Sequence, residues 1–457
     1  MQSFIILCLS RFSAAIGGSM ADFAITLWVW NLTGSATALA LTGFFYELPR
    51  IVASLFSGIL IDRVGCKSLM ILSRVVTASA TLVLLLLYLS GHLAIWHLYA
   101  VAFAKSGFEK CGWISYQASV ALLVAPQNYT RANSMEAAVG YGSSIIAPAA
   151  AGVLYPIVGL GGILPLNLLA LLIAISVLAV LHIPRPAATP EALSYQAIKV
   201  SNAAGKRGKD IVTKFGKLWA DVTFGLRYVW RARCLRTLLA VTVAFWLMYG
   251  LIDMAYSPMI LSRTDSNSAT LGAIDTVWGV GGIIGAIALT IWGGFRQTYK
   301  GLLLGGIGIG FAEIAFGFGR GLSVWLSAQF CAALISPLLE GSESALWMAA
   351  TPPSLQGRIF AARAVVDDIL DMVVVLSGGV LSDVLEGWFR QHFFESAMPS
   401  SHGWQSLVVS LFGTGAGAGY ALFYVGCAIA MLLVGIVGFR LPQLRLLGKA
   451  KKAAPNP

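Results

Sequence analysis

Charge is what this chain has least of: Asp, Glu, Lys and Arg make up only 11% of its residues, against about 25% in soluble domains. With 58% hydrophobic residues and a mean hydropathy of +0.79, that shortage excludes a soluble domain and marks an integral membrane protein. Histidine is equally sparse. The five (His92, His97, His182, His392, His402) fall at span ends or in loops, with none of the His/Asp/Glu spacing of a metal enzyme. The six cysteines (Cys8, Cys66, Cys111, Cys234, Cys331, Cys427) form no CxxC pair, which argues against a zinc site or a disulfide framework. No nucleophile motif is visible, so the chain does not read as an enzyme and no resident cofactor is expected. The Gly-rich "WGVGGIIGAIALTIWGG" lacks the Lys-Ser/Thr that a phosphate loop requires and reads as helix packing.

Long apolar runs, by contrast, are abundant. About a dozen reach the roughly 20 residues that cross a bilayer core: near 4–30, 38–61, 68–90, 95–123, 132–158, 162–183, 237–260, 270–294, 300–319, 322–348, 359–385 and 407–438. The first continues past a signal-peptide core and contains Arg11 and Asp22, so it reads as a span. Most of the 31 Lys and Arg collect on one side, while Arg263, Arg320 and Arg390 alone mark the other. Basic residues accumulate on cytoplasmic loops. The expected topology therefore has both termini in the cytoplasm and many passes through the plasma (inner) membrane. A basic face beside anionic lipid also accounts for the net charge of +11 without nucleic acid.

Six spans precede the one long polar segment and six follow it. The expected organisation is an N-terminal bundle (1–184), a basic cytoplasmic linker (185–236), a C-terminal bundle (237–440) and a basic tail (441–457). From Lys209 to Arg233 the linker alternates aromatic and basic residues, which suits an amphipathic helix on the inner leaflet. The halves share a faint repeat: "TRANSMEAAVGYGSSIIAPAAAGVL" and "GRIFAARAVVDDILDMVVVLSGGVL" place Arg131 against Arg358 and Gly152 against Gly379 at the same offset. Parallel six-span repeats describe a transporter architecture with its substrate at the repeat interface.

"GILIDRVGCK" resembles the loop 2–3 signature of the major facilitator superfamily. Gly58, Asp62, Arg63, Gly65 and Lys67 match it, while Cys66 stands where the family usually has a basic residue. A small residue at Gly58 permits close helix approach, and Asp62 can cap a helix or pair with a base as an opening latch. "RFSAAIGGSMADFAITLWVWNLTGSATALAL", "ELPRIVASLFSGILIDR" and "LLEGSESALWMAATPPSLQGRIFAAR" look like the drug:proton antiporter branch containing macrolide-efflux proteins and the enterobactin exporter. "SSIIAPAAAG" is a degenerate antiporter signature that keeps Pro148 and Gly152, with Ala147 and Ala151 in place of glycines. The resemblance implies an all-α membrane protein of twelve transmembrane helices in two pseudo-symmetric six-helix bundles. Spans 1, 4, 7 and 10 would line its cavity with Asp22, Lys105, Glu109, Asp253, Glu340 and Glu343. It also places the loop residues, Arg131, Pro148, Gly152 and Arg358 at moving contacts, and Glu340 and Glu343 near an inner gate.

An ionisable side chain in the bilayer interior costs roughly 2.5–3.5 kcal/mol on insertion scales, so each requires a partner or a role. At the helical rise, Asp22, Glu47 and Lys105 each lie about 13–15 Å from the outer end of their span, near one level. Glu109 shares a face with Lys105, and Arg50 with Glu47. Asp22, Glu47, Lys105 and Glu109 are therefore candidates for proton coupling, with Glu47–Arg50 and Lys105–Glu109 equally readable as neutralised pairs that hold helices. Asp367, Asp368 and Asp371 form a second acidic group that could receive a cationic substrate, sodium or a proton, or pair with Arg363. Trp28, Trp113, Trp246 and Tyr249, with Asp22, Lys105, Asp253 and the three aspartates, are the candidate substrate contacts; an adaptable aromatic pocket suits an amphipathic ligand.

The expected activity is proton-coupled export of a drug-like compound or secondary metabolite such as a siderophore by a monomer, with a proton or sodium as coupling ion and membrane lipid as its surroundings. Uptake, lipid translocation, sodium coupling and uniport by the same fold remain the alternatives.

Overall fold

A computed structural model describes residues 2–124, 129–181, 223–295, 297–352, 355–394 and 403–449. Every regular element among them is helical. The first half contains α1 (Gln2–Thr33), α2 (Ala36–Val64), α3 (Cys66–Leu89), α4 (Ile95–Leu123) and α5 (Tyr129–Val180). Gly159, at φ +61, turns α5 back on itself, so it crosses as two arms; the left-handed conformation there suits a residue without Cβ. A short helix α6 (223–231) leads into the second half. There follow α7 (Arg233–Arg263), α8 (Ser268–Trp292), α9 (Thr298–Phe318), α10 (Leu322–Ala350), α11 (Gln356–Phe389), α12 (Gly403–Phe412), α13 (Ala418–Gly438) and α14 (Pro442–Lys449).

Eight described helices are long and apolar enough to cross a membrane. Helices α2, α4 and α11 are as long but stand outside that group, and these are helices that carry ionisable side chains in mid-span. With them, and with α5 crossing twice, the helices make up the twelve of the expected fold.

The last expected span, 407–438, is corrected. Residues 403–412 form a separate helix, and the crossing begins at Ala418. Gly413 and Gly417, both at φ +83, make the break. Glu386 of α11 then takes the free N–H groups of Gly417, Gly419 and Tyr420 at 3.0, 2.8 and 3.1 Å, satisfying the orphan donors that open a helix. Of the expected linker helix, Lys209 to Val222 lies outside the described residues; within α6, Phe224 and Trp230 are exposed.

The halves meet along two seams. In one, α5 packs on α8 so closely that a Cβ on Gly152 would fall 2.8 Å from the Ser268 carbonyl oxygen, and Ser268 Oγ donates to the Gly152 carbonyl at 3.0 Å. In the other, α2 packs on α11, where a Cβ on Gly379 would lie 2.9 Å from the Ala36 carbonyl oxygen. The two glycines matched in the sequence repeat thus occupy equivalent seams. Small residues allow such backbone approach. Both contacts lie on the distal face, away from the end of the bundle that carries Gly65 and the described chain ends.

Candidate functional site

Helices α1, α2, α3 and α4 bring one polar cluster together in the first half. Lys105 Nζ stands 3.8 Å from Asp22 Oδ1 and 3.5 Å from Glu109 Oε1. Glu109 accepts from Tyr46 Oη at 2.9 Å and from Thr77 Oγ1 at 3.1 Å. Lys105 therefore spans two carboxylates that are held unequally: Glu109 has two hydroxyl donors, whereas Asp22 has only the long contact to Lys105 and a side chain 70% open to the cavity. Asp22 has no partner one turn away on its own helix; Lys105 supplies one from another helix.

Glu47 does not join this cluster. Successive helical residues point about 100° apart, so Tyr46 faces Glu109 while Glu47 turns toward α11. It accepts from Arg50 at 2.6 Å and senses the charges of Asp368 and Asp371 across the halves. Asp371 in turn interacts with Arg50 and Lys110. Asp367 instead pairs with Arg363 within α11 at 3.4 Å. The acidic trio is thus divided, with Asp367 paired inside its own half and Asp371 facing basic residues of the other.

Two cavities share Asp22 and Lys105. One, of about 300 Å³, lies inside the first half and reaches Arg11, Arg74, Glu109 and Trp113. The other, of about 350 Å³, lies between the halves, with Tyr46, Leu39, Asp253 and Met254 in its wall. Trp113 is placed by Arg11, whose guanidinium stacks 4.0 Å from its ring and 4.5 Å from that of Tyr116. Trp28 lines neither cavity and packs half-buried against the core. Trp246 donates to Glu343 at 2.8 Å and meets Tyr249 edge-on. Glu343, buried, also receives Arg363, which ties α7, α10 and α11 into one unit. Glu340 borders a small cavity with Trp246 and Tyr249.

Of the residues expected at moving contacts, Pro148 and Gly152 line the α5–α8 seam, Gly65 separates α2 from α3, and Lys67 Nζ donates to the Ala179 carbonyl at 2.8 Å. The side-chain environments of Gly58, Asp62, Arg63, Arg131 and Arg358 lie outside the described residues.

Sequence reasoning missed three groups. Glu136 of α5 pairs with Arg11 and accepts from Tyr116 at 2.6 Å. Asp383, near the distal end of α11, accepts from Ala36 N (2.9 Å), Thr37 N (2.8 Å), Ser35 Oγ, Thr37 Oγ1 and Tyr420 Oη (each 2.6 Å). It caps α2 across the halves, and the repeat of Gly379-x-x-x-Asp383 on the pattern Gly58-x-x-x-Asp62 was the signal available. Asp275 and Glu313 are the third group, with no charged neighbour in sequence to announce them.

Comparison with known proteins agrees with this architecture. The Major Facilitator Superfamily model matches residues 7–373. Macrolide efflux protein A of Streptococcus pyogenes is 22% identical over 82% of this chain and 88% of its own. The multidrug efflux pump Tap of Mycolicibacterium fortuitum is 22% identical over 98% of both. Among solved structures, a bacterial homologue of the human lysosomal transporter Spinster, inward-facing and unoccupied, aligns with a TM-score of 0.64 at 14% identity, covering 100% of this chain and 98% of that one. The fold, the seam glycines and this match over most of the chain lead to one conclusion: the protein is a multi-pass membrane transporter belonging to the Major Facilitator Superfamily.

Proposed function

We propose that the chain exports an amphipathic small molecule in exchange for protons, by alternating access between the two halves. The observation that carries this reading is the position of Asp22 and Lys105 in the walls of both cavities. The cavity between the halves offers apolar surface from Ile25, Val29, Leu39 and Met254 beside two carboxyls, Asp22 and Asp253, a composition that fits a bulky ligand with a polar or cationic group.

Asp22 is the weakest-held carboxylate of its cluster. A proton or the cationic group of a ligand can neutralise it, and the two compete. Mutually exclusive occupancy is the thermodynamic requirement for exchange, because each ligand lowers the affinity for the other. Lys105 changes partner with that occupancy: it turns fully to Glu109 when Asp22 is neutralised and is shared when Asp22 is charged. The efflux relatives named above support the export direction, and the basic residues near the termini support a cytoplasmic position for that face.

The test is proton release from reconstituted vesicles under an imposed pH gradient, on adding lipophilic cations, macrolides and catecholate siderophores in turn. Discharge by one class, lost in Asp22→Asn, is the expected result. Substrate flux that is indifferent to the pH gradient, in the wild type, would overturn proton exchange and leave a sodium-coupled or uniport carrier.

A further inference from the structure

A third cavity, of about 120 Å³, lies in the second half. Helices α7, α8 and α9 each send one carboxyl into it: Asp253, Asp275 and Glu313. Tyr256 Oη donates to Asp275 at 2.7 Å, and Tyr424 Oη of α13 donates to the fully buried Glu313. Helix α10 contributes Gln329 to the wall, a side chain 9% exposed whose Oε1 has no donor.

Among the described residues, no Lys, Arg or His borders this cavity. The other titratable group in its wall is Tyr249; Glu340 lies within electrostatic range of that tyrosine. The nearest base that shares a cavity with any of the three carboxyls is Lys105, across the space between the halves and already held by Asp22 and Glu109. Buried Glu313 and half-buried Asp275 therefore lack the cation that a buried charge requires, and such groups become neutral instead, while Asp253 is open to the space between the halves. The unpartnered Gln329 carbonyl asks for a donor in the same place, which a carboxylic O–H supplies. A chelated metal is the poorer occupant, since no three Asp, Glu, His or Cys among the described residues converge on a metal position.

We propose that Asp253, Asp275 and Glu313 form a second proton-binding site, separate from the Asp22–Lys105–Glu109 cluster and joined to the space between the halves at Asp253. Asp253 belongs to the walls of both cavities and is the group through which protons enter and leave. Asp275 and Glu313 hold them, each oriented by its tyrosine. The inference goes beyond the exchange reading above, because proton binding here does not require that Asp22 drive export.

Infrared difference spectroscopy of the full-length protein in lipid nanodiscs, titrated from low to high pH, reads protonated carboxyls directly through their C=O stretch. Asp275→Asn and Glu313→Gln are each expected to remove one component of that band, while both amides still accept from Tyr256 and Tyr424 and keep the helices tied. Asp22→Asn should remove a different component and leave these two. Glu313→Asp should restore a shifted one, and thermal unfolding of each variant checks that it is folded. Trp278 in the cavity wall gives a second readout: its pH-dependent fluorescence should be lost in Glu313→Gln. Spectra of Asp275→Asn and Glu313→Gln that superimpose on the wild type at every pH would overturn the proposal. So would a fluorescence response to sodium at fixed pH that Glu313→Gln abolishes, which would assign the cavity to sodium.

Discussion

The two halves share a fold and differ in how they neutralise buried acids. In the first half the acids meet cations: Asp22 and Glu109 share Lys105, Glu47 has Arg50, and Glu136 has Arg11. Among the described residues of the second half, Glu343 and Asp367 share Arg363 and Asp371 faces Arg50 of the first half, while Asp275 and Glu313 have tyrosines. An ion pair is broken by any competing charge and so responds to a ligand. A carboxyl held by a neutral hydroxyl responds to protons alone. On the proposed exchange, the first half lets substrate and proton compete, and the proposed second site holds protons at Asp275 and Glu313, away from the cavity between the halves.

The sharpest way to break this contrast is to give the second half an unpaired charge. Arg363→Met strands Glu343, whose side chain is only 3% exposed. Removing one partner of a buried pair costs about 3–5 kcal/mol, so a large drop in thermal unfolding temperature is expected, and Glu343→Gln in the same chain should recover much of it. If both variants melt like the wild type, Glu343 is not the buried anion that this comparison requires.

The seams come next. Gly152→Leu places a side chain against the Ser268 backbone, and overpacking of this kind costs about 1–3 kcal/mol. Transport should fall with the loss of the closed α5–α8 contact, whereas a leucine at Gly140, where a Cβ meets nothing within 4 Å, should be tolerated. Comparable flux in the two variants would show that the seam does not need close approach.

Much of this was legible in the sequence because it is local. Lys105 and Glu109, or Glu47 and Arg50, are one helical turn apart, and the spacing alone puts them together. Crossings were legible for the same reason, since hydropathy accumulates along one segment. What escaped depends on partners from elsewhere. Ser35 and Asp383 are 348 positions apart, and Tyr424 and Glu313 are 111 apart; nothing in the neighbourhood of a lone Glu on a Gly-rich helix says that a tyrosine will face it. The distinction between Tyr46 and Glu47 also failed to show, because placing a charge at the right depth does not fix which way it points.

Asp383 tests whether the distal contact is a latch. Two backbone N–H groups at the start of α2 and three hydroxyls converge on it, and a capping carboxylate contributes about 0.5–2 kcal/mol. Asp383→Asn keeps the size and removes the charge. Spin labels at the exposed Leu32 and Val384 should then report a longer distance in a larger share of molecules, by about tenfold if the loss is near 1.4 kcal/mol. An unchanged distance distribution would make Asp383 a cap and nothing more.

The smallest effect belongs to Glu47. Its pair with Arg50 is partly open, at 22% and 30% side-chain exposure, and pairs of that kind contribute up to about 1 kcal/mol. Glu47→Gln should therefore change gradient-driven flux less than about fivefold, far less than Asp22→Asn. The informative variant is the double one. Without Glu47, Arg50 is free to answer Asp371 across the halves, which tightens the terminal-side approach of α2 and α11; removing Asp371 as well withdraws that attraction. Glu47→Gln and Asp371→Asn should for this reason be non-additive in flux, with the double variant nearer the wild type than Glu47→Gln alone. Strict additivity would mean that Arg50 serves Glu47 only, and that the charges of the two halves do not communicate through it.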